Sequence, residues 1–282
     1  MMKTYLLKLQ SLGIATGLTL GAVMVLSMFA WTTASAQVAN TTHNLGSGGA
    51  VGNNTYSGTT EICVFCHTPH GADVSAAVPL WNRTLADPAS YTTYDTLGTS
   101  SLDGGTAPVG SVSIACLSCH DGTQAMDALL NDPGSGADVA SFDAGVWTGN
   151  DRPQDIADLS QDLTDDHPIG IQYGGGGITI GTPDGPTNDL DFVQGALSAL
   201  QNASINGQTV WWVDTEAVPN GTRQKTDMQL YTRLDADTGL TGGPQPFVEC
   251  ASCHDPHADT VAGLFLRIPN DNSDVCLACH VK

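Results

Sequence analysis

The longest apolar stretch of the chain lies near its N-terminus, from about residue 12 to residue 31. Two lysines precede it and the small residues Ala34–Ala36 (ASA) follow it, which is the arrangement of a secretory signal peptide. We therefore expect residues 1–36 to be a signal peptide that is cleaved before Gln37. The alternative is an uncleaved membrane anchor, because about 20 apolar residues suffice to span a bilayer. After cleavage we expect no membrane span.

Regular periodicity is rare in the rest of the chain. Asp191–Asn202 (DFVQGALSALQN) has apolar residues at helical spacing and predicts a helix, whereas Gln208–Val213 (QTVWWV) predicts a strand. Turn-forming stretches such as NDPGSG and YGGGG separate such segments. The pattern predicts a mostly irregular coil with short α-helices and a few short strands.

A five-residue motif occurs four times, and it contains all eight cysteines. Each copy has two cysteines separated by two residues and followed at once by a histidine. The four copies are Cys63, Cys66 and His67; Cys116, Cys119 and His120; Cys250, Cys253 and His254; and Cys276, Cys279 and His280. The first and third copies continue through a proline to a second histidine, in CHTPH and CHDPH.

The histidine in every copy decides between three chemistries. Structural zinc sites and disulfide frameworks use paired cysteines, but neither explains a histidine after each second cysteine. The C-x-x-C-H pentapeptide is the attachment site of c-type haem. The two thiols form thioethers with the porphyrin, and the adjacent imidazole binds the iron. The sequence therefore predicts four covalently attached haem c groups.

The histidine count predicts the second axial ligands. The chain has eight histidines, and four irons with two imidazoles each require eight. The remaining four, His43, His70, His167 and His257, are the predicted distal ligands. Proline disfavours helix in the residue before it, so the helical turn of HTPH should end near Thr68 and its two histidines should serve neighbouring irons. Two imidazoles per iron leave no vacant position for a substrate, so we expect the protein not to be an enzyme.

We expect residues 37–282 to form a single tetrahaem domain wrapped around a row of stacked haems. Its segments are an N-terminal arm (37–60), the first haem pair (61–125), a loop-rich insertion with the distal His167 (126–249) and the second haem pair (250–282). Trp81, Trp211 and Trp212 are predicted to pack against the porphyrins.

The charge balance limits the partners. Without the two lysines of the signal peptide, 29 acidic residues face 7 basic ones, which gives a formal charge of −22 (7 minus 29). Nucleic acid binding depends on cations that neutralise phosphates, so nucleic acid is not an expected partner. A soluble, exported protein with cationic or metal-bearing partners fits this charge.

Several stretches together resemble a known family. ICVFCHTPHGA, PLWNR, IACLSCHDG, DDHPIG and VECASCHDPH…NDNSDVCLACH resemble the doubled CXXCH multihaem c-type cytochromes. Within that family they are most similar to the four-haem outer-surface cytochromes of metal-reducing bacteria that polymerise into extracellular filaments (nanowires). The resemblance implies an extracellular or cell-surface homopolymer that passes electrons to other redox proteins or extracellular acceptors. It also implies that a histidine of one subunit ligates a haem of the next, a role we assign to His43.

Two other functions stay open. A monomeric periplasmic tetrahaem electron shuttle would use the same eight histidines within one chain. A multihaem reductase would need one five-coordinate haem and would leave one histidine without an iron.

Overall fold

An antiparallel five-stranded sheet is the largest regular element of the computed structural model, which describes residues 37–49, 54–134, 139–180, 187–194, 199–258 and 264–281. The strands in this part of the chain are β1 (Thr55–Tyr56), β2 (Trp147–Thr148), β3 (Ile171–Gln172), β4 (Leu200–Ile205), β5 (Gln208–Val213), β6 (Met228–Arg233) and β7 (Gln245–Val248). The large sheet has the order β3-β7-β6-β5-β4, and β1 and β2 form a separate antiparallel pair.

The helices are short. Those in the described residues are α1 (Ser113–His120), α2 (Val139–Asp143), α3 (Asp235–Thr238), α4 (Cys250–Cys253) and α5 (Asp274–Leu277). Single 3₁₀ turns occur at Gln37–Asn40, Cys63–Phe65, Pro88–Ser90, Tyr94–Leu97, Asp155–Ala157, Tyr173–Gly175 and Asp271–Ser273. The predicted class, coil with short helices and a few strands, is confirmed.

A tight hairpin joins β4 and β5, and it bears on two of the sequence predictions. Asn206 and Gly207 connect β4 to β5 with φ values of 52° and 78°, the conformation that an Asn-Gly pair favours in a two-residue hairpin turn. The predicted strand Gln208–Val213 is confirmed as β5. The predicted helix at Asp191–Asn202 is wrong where the chain is described, because its last three residues pair in β4.

Apolar residues gather in three clusters, and motif cysteines pack against all of them. The largest contains Tyr173, Ile178, Phe192, Leu200, Trp211, Val213, Met228, Leu230 and Val248, with Cys253 and Cys279 against it. The other two clusters both contact Cys66. The insertion therefore carries more packed structure than its many turn signals suggested, because its strands bury one cluster between the sheet and the second pair of motifs.

Residues Gln37–Lys282 form one compact unit. The signal peptide predicted at residues 1–36 lies outside the described residues. Within the described ranges, none of the helices has the length and apolar character needed to cross a bilayer.

Candidate functional site

The first motif begins with a single 3₁₀ turn, and its second cysteine, Cys66, directly follows that turn. Cys63–Phe65 is the turn, and the amide of His67 donates to the carbonyl of Cys63 at 2.8 Å. The imidazole Nδ1 of His67 lies 2.8 Å from the carbonyl oxygen of Pro79. A backbone carbonyl accepts only from a protonated nitrogen, so Nδ1 carries the proton and Nε2 keeps its lone pair. The ring is thus oriented as an iron ligand requires.

In two further motifs a backbone carbonyl lies at hydrogen-bond distance from the Nδ1 atom of the histidine. Nδ1 of His120 lies 2.7 Å from the carbonyl oxygen of Ala157, and Nδ1 of His254 lies 2.8 Å from that of Leu264. The fourth motif histidine, His280, packs its ring against Phe192 with a centroid distance of 4.4 Å. Three of the four predicted proximal ligands are therefore held with Nε2 available.

The first and third motifs are alike beyond the CXXCH sequence, because in each of them a residue with positive φ follows the carbonyl that accepts from the histidine. The residue after the Pro79 acceptor, Leu80, has φ 59°, and the residue after the Leu264 acceptor, Phe265, has φ 55°. Both are non-glycine residues in a backbone region that side chains disfavour. The interval from the motif histidine to the acceptor is 12 residues for the first motif and 10 for the third. This difference in length hides the similarity in the sequence.

Two pairs of histidine rings are spaced as ligands of one iron would be. The ring centroids of His67 and His257 lie 6.1 Å apart, with an interplanar angle of 17°. Those of His43 and His120 lie 6.2 Å apart at 79°. An iron with bonds of about 2 Å to the near nitrogen of each ring separates the ring centres by about 6 Å. Both pairs therefore fit a metal between the rings.

The other predicted distal ligands are placed differently. His167 lies within electrostatic range of His280. His70 is exposed, and its carbonyl accepts from Thr68 Oγ1 at 3.0 Å and from Asn131 Nδ2 at 3.1 Å. With His257 near His67, His43 near His120 and His167 near His280, the distal His70 and the proximal His254 remain. None of the ring contacts among the described residues joins these two histidines.

The motif cysteines are contiguous in space. The Cys66 thiol is within electrostatic range of Cys119, the thiols of Cys116 and Cys250 are hydrogen-bonded to each other, and Cys253 is close to Cys279. Burial, with a smaller contribution from Cys119, raises the pKa of Cys66 to about 12. The four attachment sites therefore form an unbroken series in which each motif adjoins the next.

A buried polar network joins the second motif to the third. Ser113, at the start of α1, donates to Oε2 of Glu249 at 2.5 Å and accepts from the amide of Cys250 at 3.0 Å. Oε1 of Glu249 pairs with Arg233 at 2.9 Å. Burial raises the pKa of Glu249, and the charge of Arg233 opposes this shift. The network fixes α1 against α4, the two helices whose cysteines touch.

Arg83 plays a comparable part beside the first two motifs. It is completely buried, and its guanidinium donates to the carbonyls of Ser118, Ala125 and Met126 at 2.9–3.2 Å. Its charge also acts on the Cys66 and Cys119 thiols, whose pKa values it lowers against the larger effect of burial. Sequence analysis missed Arg83, Ser113, Arg233 and Glu249 as residues of the site. An arginine within PLWNR was the one available signal.

The three tryptophans that were predicted to pack against the porphyrins are buried. Trp81 is buried and meets the His67 ring edge-on at 5.8 Å. Trp211 and Trp212 are almost completely buried, and their indole nitrogens have no hydrogen-bond partner within the described chain.

The donor set fits covalent haem. All eight cysteines are free thiols, so each motif retains the two nucleophiles that thioether formation needs. In three of the motifs the adjacent imidazole points Nε2 away from its backbone acceptor. The clusters of three or more cysteine, histidine or acidic side chains that a structural zinc site requires do not occur in the described ranges. Cys63 and Cys66 with His67, and the corresponding residues of the other motifs, would hold the haems.

The comparison with family models agrees with this chemistry. Residues 245–282 match the family described as the doubled CXXCH motif. No curated protein matches the chain. The match, with the second pair of motifs inside it, supports a multihaem c-type cytochrome with covalently bound haem and a function in electron transfer. Attachment of this kind implies export from the cytoplasm.

Proposed function

We propose that the protein carries four haem c groups with two histidine ligands each and conducts electrons outside the cell as a subunit of a filament. The observation that carries the proposal is the contiguity of the four motifs together with the 6.1 Å and 6.2 Å histidine pairs. Each haem, when bound, supplies one exchangeable electron and a delocalised π system.

The residues of the chain provide the positioning that such conduction needs. The backbone carbonyls of Pro79, Ala157 and Leu264 orient the imidazoles of three of the four motifs. The Ser113–Glu249 contact holds the middle of the series together. A complete set of imidazoles would leave no open iron position, which supports a function in electron transfer without catalysis.

The structure changes which histidine we propose for the contact between subunits. His43 was assigned that role from the family resemblance, but its ring faces His120 of its own chain and stacks on Phe265 at 4.2 Å. This position favours ligation within the subunit. His70 and His254 are both exposed, and they support a ligation in which His70 of one copy reaches the haem held by His254 of another. A head-to-tail contact of this type repeats along an open filament.

Three measurements on the purified protein test the proposal: intact mass, electron microscopy and carbon monoxide binding. Intact mass should give four haems per chain, and electron microscopy should give filaments for the wild type and for His43→Ala but single particles for His70→Ala. Filaments from His70→Ala would contradict the new assignment. Single particles from the wild type, with four low-spin haems, would instead indicate the monomeric shuttle. A haem that binds carbon monoxide in the assembled wild type would indicate the reductase.

A further inference from the structure

The histidines of three motifs pair with a second segment of the chain in the same way. The residue after the histidine donates its amide to that segment, and the second cysteine accepts an amide from the residue two positions further along it. The bridged residues are His67 with Trp81, His254 with Leu266 and His280 with Phe192. The amide-to-carbonyl bonds are Thr68 to Leu80 and Asn82 to Cys66 at 2.9 Å, Asp255 to Phe265 and Arg267 to Cys253 at 2.8 Å, and Val281 to Asp191 at 2.8 Å and Val193 to Cys279 at 3.0 Å. We call this arrangement the histidine bridge.

The bridges of the first and third motifs share a further feature. The carbonyl that lies at hydrogen-bond distance from Nδ1 of the histidine belongs to the residue two positions before the bridged one, Pro79 or Leu264. The residue between, Leu80 or Phe265, has a positive φ of 59° or 55°. Side chains disfavour this conformation, so the surrounding structure maintains it at a cost. In both motifs the positive φ accompanies the hydrogen bond to the imidazole.

The fourth motif has the bridge without the positive φ. The residue before Phe192 is Asp191, which is not among the described residues with positive φ. The amide of Phe192 donates to the carbonyl of Asp189 at 3.4 Å, and the carboxylate of Asp189 accepts from the amide of Asp191 at 2.8 Å. These bonds close a turn over Leu190, whose carbonyl would be the equivalent acceptor. The ring of His280 packs against Phe192 at 4.4 Å, and none of the hydrogen bonds in the described ranges joins its Nδ1 to a carbonyl.

A hydrogen bond at Nδ1 of a histidine affects the iron that Nε2 would bind. A carbonyl that accepts from Nδ1 raises the basicity of the imidazole, and a more basic ligand favours the oxidised iron. The reduction potential is therefore lower where the bond is present. We expect one such bond to change the equilibrium constant for reduction by about tenfold, which corresponds to about 59 mV for one electron.

We propose that Leu80 and Phe265 are positioning residues, whose turns lower the reduction potentials of the first and third haems below that of the fourth. The second motif has its own carbonyl acceptor, because Nδ1 of His120 lies 2.7 Å from the carbonyl oxygen of Ala157. The fourth haem then has the highest potential of the four. An electron that enters the subunit rests there, at the C-terminal end of the series. This inference rests on the proposed haem attachment and adds to it an order of potentials.

Leu80 allows a direct test of the turn. Its side chain is 51% exposed, and none of the backbone hydrogen bonds in the described ranges uses its amide as donor. Leu80→Pro fixes φ at about −65° and removes the turn, whereas the matched control Leu80→Gly retains it. Spectroelectrochemistry should give one haem with a potential higher by about 59 mV in Leu80→Pro, with all four haems low-spin, and four unchanged potentials in Leu80→Gly. If the proline variant loses a haem, Leu80→Val makes the same test, because β-branched residues also disfavour positive φ.

A second variant identifies the fourth haem. Asp191 is exposed, and its carbonyl accepts from the amide that follows His280. Asp191→Lys replaces a negative charge by a positive one beside this histidine, which disfavours the oxidised iron. The largest increase should occur in the haem that has the highest potential in the wild type. This haem should differ from the one that responds to Leu80→Pro.

Several results would overturn the inference and leave the proposed function intact, provided that the wild type has four haems. They are four unchanged potentials in Leu80→Pro and Leu80→Val, equal shifts in Leu80→Pro and Leu80→Gly, or no response of any haem to Asp191→Lys. A wild-type potential that is lower for the haem responding to Asp191→Lys than for the haem responding to Leu80→Pro would also overturn it. Fewer than four haems on the wild-type chain would count against the proposed function instead.

Discussion

Ser113 Oγ donates to Oε2 of Glu249 at 2.5 Å, although 136 positions separate the two residues in sequence. The same hydroxyl accepts from the amide of Cys250 at 3.0 Å. One side chain therefore ties the helix of the second motif to the first residue of the third.

Ser113→Ala should destabilise the protein. The change removes a donor from a buried carboxylate and leaves a buried amide unpaired, at a cost of about 1–3 kcal/mol. Urea unfolding followed by far-ultraviolet circular dichroism measures this loss. Ser101→Ala, at an exposed serine, is the control and should change the free energy of unfolding by less than about 0.5 kcal/mol. Equal stability of the two variants would show that the contact contributes nothing.

The stability of the protein should depend on pH through Glu249. Burial raises its pKa above the usual value of 4.5, so the folded state binds this proton more tightly than the unfolded state. The free energy of unfolding contributed by this group is therefore largest below the unfolded pKa and decreases as pH rises through the folded pKa.

Glu249→Gln should flatten that decrease, because the amide does not titrate. The measurement is the free energy of unfolding between pH 4 and 7 for the wild type, for Glu249→Gln and for the control Glu61→Gln, an exposed glutamate. A curve for Glu249→Gln that is parallel to the wild type would contradict the prediction.

Arg83→Met should be among the most destabilising single changes. It leaves three carbonyls without the donor that they share in the native state, which we expect to cost about 3 kcal/mol or more. Arg83→Lys keeps the charge but loses the forked geometry, so its loss should be intermediate. Arg152→Met provides the exposed comparison. The midpoint of urea unfolding ranks the three variants, and any order other than this one would contradict the role of Arg83.

His257→Ala should open one iron to small ligands. The ring of His257 is 6.1 Å from that of His67, so under the proposed ligation its removal takes away the second imidazole of the haem at the first motif. One haem in four should become high-spin and bind carbon monoxide, measured by a difference spectrum. His257→Met should restore the low-spin state with a higher potential, since thioether ligation favours the reduced iron. Absence of carbon monoxide binding in His257→Ala would exclude His257 as a ligand.

The local chemistry of the site was accessible from the sequence, because adjacent residues carry it. The motifs, the proline that separates His67 from His70, and the strand at Gln208–Val213 are all short-range patterns. The helix predicted at Asp191–Asn202 is wrong at Leu200–Asn202, because pairing with β5 outweighs local helical spacing there. Leu200 belongs to a hairpin whose Asn-Gly turn follows outside the window that suggested the helix.

The supporting residues could not be predicted, because their partners are far away in sequence. Arg83 binds carbonyls 35–43 residues downstream, and Arg233 meets Glu249 only after β6 and β7 have paired. The first and third motifs are also followed by similar turns, at Leu80 and Phe265. The loops that lead to these turns differ in length, which hides the equivalence in the sequence.

The pairing of His67 with His257 has a consequence for how the molecule matures. Export proceeds from the N-terminus, so the first motif leaves the cytoplasm about 190 residues before its second imidazole does. Until His257 has crossed, an iron held at that motif under the proposed ligation would have one face open to peroxide, oxygen and other small ligands. Chains truncated or stalled before His257 would then carry an open iron position that the proposed ligation closes in the finished protein.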